Sequence, residues 1–289
     1  MTAGQRRSLA NNITHKRRRG LAVMALPGVT VFLFFFVLPL AVVFGEAFRG
    51  GGVEFAKVVG DPVFLRGLRG TLVLGTVAPA GSLLVGFAVA WHLSALRETL
   101  RTALLFWISL PLTFSGLIVA YGFILAFGRA GFITLLMGEV GFDSATMAGF
   151  LYSPAGLGFA YSYYLIPRVV LMMLPVLVNF DRTQLITAES LGAGRVRAVL
   201  DILIPQVLPT AVAAYCLVAA VAIGAYGTAL ALVGTQVNIL PLELYSKISG
   251  TGTDFPAAAA LSVILMAPCC LVLSAGEVYA ARGEKSDAI

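Results

Sequence analysis

The chain has 289 residues, of which 59% are hydrophobic and only 12% are charged. A soluble domain is about 45–50% apolar and about 25% charged, so this composition excludes an ordinary water-soluble globule. The formal net charge is +6, but six of the twenty Lys and Arg lie between Arg6 and Arg19, just before an apolar run, which is typical of an anchor beside anionic lipid. We therefore predict an all-α polytopic protein of the lipid bilayer, with no nucleic-acid partner.

Apolar residues fall into six runs, and a helix needs about 20 such residues to cross the hydrocarbon core. The predicted spans are residues 21–44, 71–93, 103–127, 148–178, 207–233 and 256–279. The first run is too long for the core of a signal peptide, and no small-x-small cleavage site follows it. The predicted organisation is a basic cytoplasmic N-terminus at 1–20, a transmembrane domain at 21–279 and a cytoplasmic tail at 280–289.

The distribution of positive charge predicts the orientation. Segments assigned to the inside hold thirteen Lys and Arg, whereas the outer segments at 46–69, 129–147 and 234–255 hold six. Because Lys and Arg are enriched in cytoplasmic loops, both termini are predicted to be cytoplasmic in a bacterial inner (plasma) membrane.

The sequence offers no catalytic constellation. His15 and His92 have no neighbouring nucleophile or ligand pattern, and the three cysteines (Cys216, Cys269 and Cys270) lie inside apolar runs without a CxxC motif. The phosphate-binding pattern GxxxxGK[ST] is absent from the chain. We therefore expect no catalytic residue, no metal site and no nucleotide bound by this chain.

A polar stretch between residues 181 and 209 interrupts the apolar runs of the second half. Its leucines and valines recur at helical spacing, while Gly192 and Gly194 stand in the middle, where a helix ends or turns. This pattern predicts two short amphipathic helices that meet at a glycine corner on the membrane surface.

The same stretch resembles the cytoplasmic motif of ABC importer permeases, which reads E-A-A, three residues, Gly, nine residues and I-x-L-P. With the motif glycine on Gly192, the final element falls on residues 202–205, ending at Pro205, and the small-residue position falls on Ala188. Ile186 and Thr187 depart from the pattern, since they stand where the family has Glu and Ala. The runs LPLAVVF, YYLIP and LPLELYSKIS extend the resemblance to permeases for polyamines, phosphonates, iron(III) and thiamine, in the binding-protein-dependent (type I) class.

The resemblance implies a transport subunit rather than an enzyme. Such a chain forms half of the substrate path, together with a second permease, and the resemblance favours a heterodimer over a homodimer. Two separate ATPase subunits carry the ATP and magnesium, and an extracytoplasmic binding protein delivers a small polar or charged solute, such as a polyamine, a phosphonate, iron(III) or thiamine. The outer segment at 234–255, with Glu243 and Lys247, would face that binding protein or merely seal the pore.

The resemblance places ATPase coupling in region 181–205. The residues assigned to it are Leu185, Ile186, Ala188, Glu189, Leu191, Gly192, Ala193, Arg195 and Pro205. Leu185, Ile186 and Leu191 are predicted to form an apolar knob framed by arginines at 182, 195 and 197. The alternative is a helix that merely lies on lipid.

Arg168 is the one Lys or Arg left inside a predicted span. Tyr161, Tyr164 and Arg168 are three and four residues apart, so a helix places them on one face. We expect this face to line the substrate path or meet a partner subunit. The alternative is a structural arginine that snorkels or pairs with a backbone carbonyl near the inner side.

Two other classes of membrane protein are the alternatives to this interpretation. A secondary transporter without an ATPase partner would show inverted repeats or a membrane-embedded carboxylate, and an intramembrane enzyme would show paired acids or a nucleophile with its base. The sequence shows neither set of features.

Overall fold

The computed structural model describes residues 25–234, 236–249 and 254–286; the predicted basic N-terminus at 1–20 and the last three residues of the tail lie outside them. Every regular element within these ranges is a helix. Six helical stretches of the described residues are long and apolar enough to cross a membrane. The prediction of an all-α polytopic membrane protein is confirmed.

Thirteen helices are numbered here in chain order across the described ranges. They are α1 (Ala25–Phe48), α2 (Val53–Gly60), α3 (Pro62–Ser94), α4 (Glu98–Ser109), α5 (Gly116–Phe127), α6 (Phe132–Glu139), α7 (Ser144–Leu151), α8 (Pro154–Asn179), α9 (Thr183–Ser190), α10 (Arg195–Ile223), α11 (Gly227–Val233), α12 (Leu240–Ser249) and α13 (Phe255–Ser286).

Helix α8 is the centre of the core, because it packs along both α3 and α10. Leu165, Val169 and Met173 are fully buried on it. The approach to α3 is close: a Cβ on Gly86 would lie 2.6 Å from Cγ1 of Val169. Association of helices in lipid depends on such small residues, which let two backbones approach.

Helices α1 and α13 form the periphery. In the part of the chain that the structure describes, the most apolar section of α1 has no buried residue, and α1 packs mainly against α13. In turn α13 packs along α10, where Gly276 leaves room for Cys216: a Cβ on this glycine would lie 2.6 Å from the Cβ of Cys216. Cys216 is therefore a small packing residue, as predicted.

The second span is longer than predicted. Helix α3 begins at Pro62 rather than at residue 71, because the Asp61 carboxylate caps it by accepting a hydrogen bond from the Val63 N–H at 2.9 Å. Arg66 and Arg69 therefore stand on a helix, although their charge suggested a loop.

Three predicted spans are interrupted rather than continuous. The third, predicted at 103–127, divides into α4 and α5 around a 3₁₀ turn at Leu110–Thr113, which contains Pro111. The fourth, predicted at 148–178, divides into the end of α7 and α8, with a break at Tyr152 and Ser153. The fifth, predicted at 207–233, begins already at Arg195 and ends at Ile223, and α11 follows after a short break. The prediction of one continuous helix at these three places is wrong. Proline and glycine are tolerated at membrane depth where neighbouring groups satisfy the freed backbone.

Candidate functional site

Helix α9 and the turn after it occupy the stretch that resembles the permease motif. At its beginning, Asp181 accepts a hydrogen bond from the Thr183 N–H at 2.9 Å. The side-chain and backbone hydrogen bonds from Thr183 hold the pKa of Asp181 below its usual value. The beginning of α9 is therefore stabilised by a local negative charge.

The end of α9 is a Schellman turn. The N–H of Ala193 donates to the carbonyl of Ala188, and the N–H of Gly192 donates to the carbonyl of Glu189, both at 3.0 Å. Gly192 has φ of +92°, a conformation that glycine adopts without the steric penalty of a side chain. This glycine therefore fixes the direction in which the chain leaves α9.

The exposed face of this turn is apolar. Ile186, Leu191 and Val196 are 63%, 84% and 74% exposed. Leu185 does not belong to this face, because it packs against the main core. Among the residues predicted for coupling, Ile186, Glu189, Leu191, Gly192, Arg195 and Pro205 are exposed, while Leu185, Ala188 and Ala193 are partly buried.

Two polar contacts attach α9 to the ends of spanning helices. The Arg182 guanidinium donates to the Ser94 hydroxyl at 2.8 Å and lies 4.9 Å from the centre of the Trp91 ring. On the other side, the Gln206 amide donates to the Gln184 side-chain oxygen at 2.7 Å. Arg182 therefore anchors α9 to α3 instead of framing the exposed apolar face, and sequence reasoning missed Trp91 and Ser94 as its partners.

The second predicted surface helix is the beginning of α10. Residues 199–203 form a π-helical turn, in which the Ile204 N–H donates to the Val199 carbonyl. Such a turn absorbs one extra residue within a continuous helix, directly before Pro205, which has no N–H to donate. Arg197 pairs with Asp201 at 3.2 Å on its surface. The glycine turn therefore leads directly into a spanning helix.

A separate cavity of about 270 Å³ lies where the interrupted spans meet α8. Arg168 and Tyr164 line it from α8; the rest of its lining comes from the two breaks, at Pro111, Leu112, Phe114, Gly116, Val221, Gly224, Ala225, Gly227 and Thr228. Sequence reasoning did not assign Gly116 or Thr228 to a cavity. The signal in the sequence was the glycine and proline residues inside the apolar runs.

Within this cavity the three predicted path residues play unequal parts. The Tyr161 hydroxyl already has a hydrogen-bond partner, since it donates to the Ala225 carbonyl at 2.8 Å, and the Tyr161 ring is buried. Arg168 donates to the Tyr164 carbonyl at 2.6 Å and lies 5.5 Å from the centre of the Tyr164 ring. Tyr161 therefore holds the break between α10 and α11, while Tyr164 and Arg168 face the cavity.

The segment between the last two spans contains a buried acid. Glu243 on α12 is 9% exposed and packs close to Gly67 of α3, where a Cβ would lie 3.1 Å from the carboxylate. Neither carboxylate oxygen accepts a hydrogen bond in the described part of the chain, and Lys247 lies 3.9 Å away. Burial raises the pKa of Glu243, although Lys247 opposes this shift.

Comparison with known proteins decides the family. Residues 82–283 match the family model described as binding-protein-dependent transport system inner membrane component. The chain belongs to this family. It is therefore a multi-pass inner-membrane permease of an ABC importer and not an enzyme, and membership rules out the secondary transporter and the intramembrane enzyme.

Relatives with curated names are permeases as well. The chain is 26% identical over 262 residues to the spermidine/putrescine transport system permease protein PotB of Salmonella typhimurium, with coverage of 87% of this chain and 90% of PotB. It is 29% identical over 256 residues to the putative 2-aminoethylphosphonate transport system permease protein PhnU of Salmonella choleraesuis, covering 85% and 87%.

Solved structures share the fold. A bacterial ABC transporter that imports the acidic polysaccharide alginate aligns with a TM-score of 0.75 at 19% identity, over 95% of this chain and 99% of that one. A bacterial alginate ABC transporter in complex with a periplasmic protein carrying an alginate pentasaccharide aligns with a TM-score of 0.73 at 18% identity, over 92% and 96%.

Proposed function

We propose that this permease forms half of a substrate path and couples it to a separate ATPase through the exposed face of α9 and its glycine turn. The observation that carries the proposal is the apolar side chains of Ile186 and Leu191 on a helix whose end is fixed by a Schellman turn. Apolar anchors on a rigid helix are typical of protein interfaces.

The attachment of α9 supports a mechanical role. Arg182 connects it to the end of α3, and Gln184 connects it to Gln206 of α10. Helices α3 and α10 both pack on α8, which carries Tyr164 and Arg168. A displacement of α9 by an ATPase therefore has a packed route to the cavity.

The partners follow from the same proposal. ATP and magnesium would bind to two ATPase subunits and none to this chain, and both termini would be cytoplasmic, on the side of α9. A second, different permease would complete the path, so that the complex is a heterodimer rather than a homodimer in its membrane part. An extracytoplasmic binding protein would deliver the solute to the side that carries α12.

The substrate class is a small polar or charged solute. PotB and PhnU are named for a polyamine and for a phosphonate, respectively, and these two relatives support a small solute for this chain. The residues that line the cavity at α8 narrow the choice of solute further.

The test is assembly with the ATPase. The chain is expressed with a second permease, an ATPase and a binding protein from the same organism, and the complex is purified through a tag on this chain. Combined Ile186→Asp and Leu191→Asp should reduce the recovered ATPase at least about tenfold, as expected when interface anchors are lost, while membrane insertion stays normal. Val140→Asp, at a position that is 70% exposed elsewhere, is the matched control. Full recovery of the ATPase in the double variant would refute coupling through this face.

A further inference from the structure

The breaks in the third and fifth spans are joined to each other. The Thr228 hydroxyl at the beginning of α11 donates to the Gly116 carbonyl at the beginning of α5, at 3.1 Å. A Cβ on Gly116 would lie 2.5 Å from that hydroxyl, so the contact requires glycine. The two interrupted helices thus open one cavity against α8 rather than two separate defects.

The cavity lies deep in the spanning region. Arg168 is fourteen residues after Pro154 and eleven before Asn179, the ends of α8. At 1.5 Å per residue it is about 21 Å from one end and about 16 Å from the other. A charge at this depth is costly unless it faces a partner or a polar cavity.

Arg168 and Tyr164 bring hydrogen-bond donors into the cavity. Arg168 uses Nη1 on the Tyr164 carbonyl, whereas a guanidinium has five N–H groups, and it forms no ion pair within residues 25–234, 236–249 and 254–286. The Tyr164 side chain is 7% exposed, and its buried hydroxyl lies beside the Thr228 side chain without a hydrogen bond of standard geometry in those ranges. A ligand with acceptor atoms could therefore accept hydrogen bonds from the Arg168 guanidinium and the Tyr164 hydroxyl.

The electrostatics favour a negative ligand. The lining contains the positive Arg168 and no acidic residue in the part of the chain that the structure describes. Helix α5, twelve residues long, begins at the cavity with Gly116, and the first N–H groups of a helix carry a partial positive charge without an intrahelical acceptor. A cation would meet repulsion from both groups.

We infer that this cavity binds the oxyanion group of the transported solute, a sulfate-, phosphonate- or carboxylate-like anion, between Arg168, the Tyr164 hydroxyl and the N-terminus of α5. The inference rests on the proposed function in assigning the anion to the transported solute, but the binding itself needs no ATPase. An anionic headgroup of a lipid shares the same chemistry, so the experiment must separate the two sources. A polyamine does not fit this site.

The experiment measures equilibrium binding of radiolabelled sulfate, 2-aminoethylphosphonate and spermidine to the full chain in phosphatidylcholine nanodiscs. Sulfate or the phosphonate should bind, with no competition from spermidine. Arg168→Met should weaken anion binding at least about tenfold, and Tyr164→Phe should weaken it several-fold, as expected for bonds to a charged group. Arg168→Lys should retain part of it, since the charge remains but the planar fork is lost.

Arg66→Met is the matched control. Arg66 also donates to a carbonyl four residues earlier on its helix, that of Pro62, but it lies outside the cavity, so anion binding should be unchanged. Thermal unfolding of each variant identifies loss of fold. If Arg168→Met fails to fold, the Tyr164→Phe and Arg168→Lys results decide instead.

Three outcomes would overturn the inference: neither anion binds, anion binding survives Arg168→Met, or spermidine binds in the anion's place. If phosphatidylglycerol in the nanodiscs competes with sulfate or the phosphonate for binding, the site is assigned to a lipid headgroup, which would also contradict the solute assignment. Because recovery of the ATPase is measured separately, failure of anion binding leaves coupling through α9 standing, and failure of coupling leaves the binding result intact.

Discussion

Replacement of Gly192 tests the coupling surface through the backbone alone. A Cβ at this position would meet no atom within 4 Å, but the residue has φ of +92°. Gly192→Val therefore adds no clash and acts only by disfavouring the left-handed conformation. That penalty is about 1–2 kcal/mol, which shifts the balance between the native turn and other conformations by about 5–30-fold.

Gly194 provides a control two residues away. A Cβ there would also meet nothing within 4 Å, and its φ of −65° and ψ of 148° suit any residue. Gly194→Val should leave coupling intact, whereas Gly192→Val should let the complex insert while uncoupling uptake from ATP hydrolysis or weakening assembly.

The assay measures solute uptake and ATP hydrolysis by the same proteoliposomes, so that their ratio reports coupling. Wild-type uptake and hydrolysis in Gly192→Val would refute the argument. Equal losses in the two glycine variants would refute it as well, because only one of them strains the backbone.

Three further predictions concern single side chains. Glu189→Ala should lower uptake several-fold, because this exposed carboxylate is the nearest acid to the motif position; unchanged uptake would show that it does not replace the motif's acid. The raised pKa of Glu243 means that the folded state retains a proton that the unfolded state has lost, so stability should fall as pH rises above the usual carboxyl value of 4.5; Glu243→Gln should raise the unfolding temperature at about pH 8 more than at about pH 5, and an equal change at both would contradict this. Gly116→Ala should cost about 1–3 kcal/mol by overpacking against Thr228, seen as a lower unfolding temperature, whereas Gly122→Ala, with open space around its Cβ, should unfold as the wild type does.

Hydrophobic runs were sufficient to predict the helical class and the number of spans, because each crossing must satisfy its backbone internally. They could not predict where a span is interrupted. Pro111 and Gly224 stand inside apolar runs, and the same residues occur in kinked but continuous helices. The contacts that join the two breaks, such as the bond between Thr228 and Gly116, connect residues more than a hundred positions apart, which local spacing does not reveal.

The site shows the same limit. Gly192 was predicted as the corner from its place in the motif, and the structure gives it the positive φ that the motif needs. Arg182 was misassigned to the apolar face, since its partner Ser94 lies 88 residues earlier in the chain. Local spacing contains no information about contacts at that separation.

The bond between Thr228 and Gly116 has a consequence for how the path can open. It joins α5 and α11, which lie on the far side of the breaks from α9 and pack against each other. The parts of the third and fifth spans on the near side, α4 and α10, end at those breaks. Under the proposed coupling, a push from the ATPase along α10 would spread the near halves while the far pair stays shut, so the two ends of the path would not need to open at the same moment.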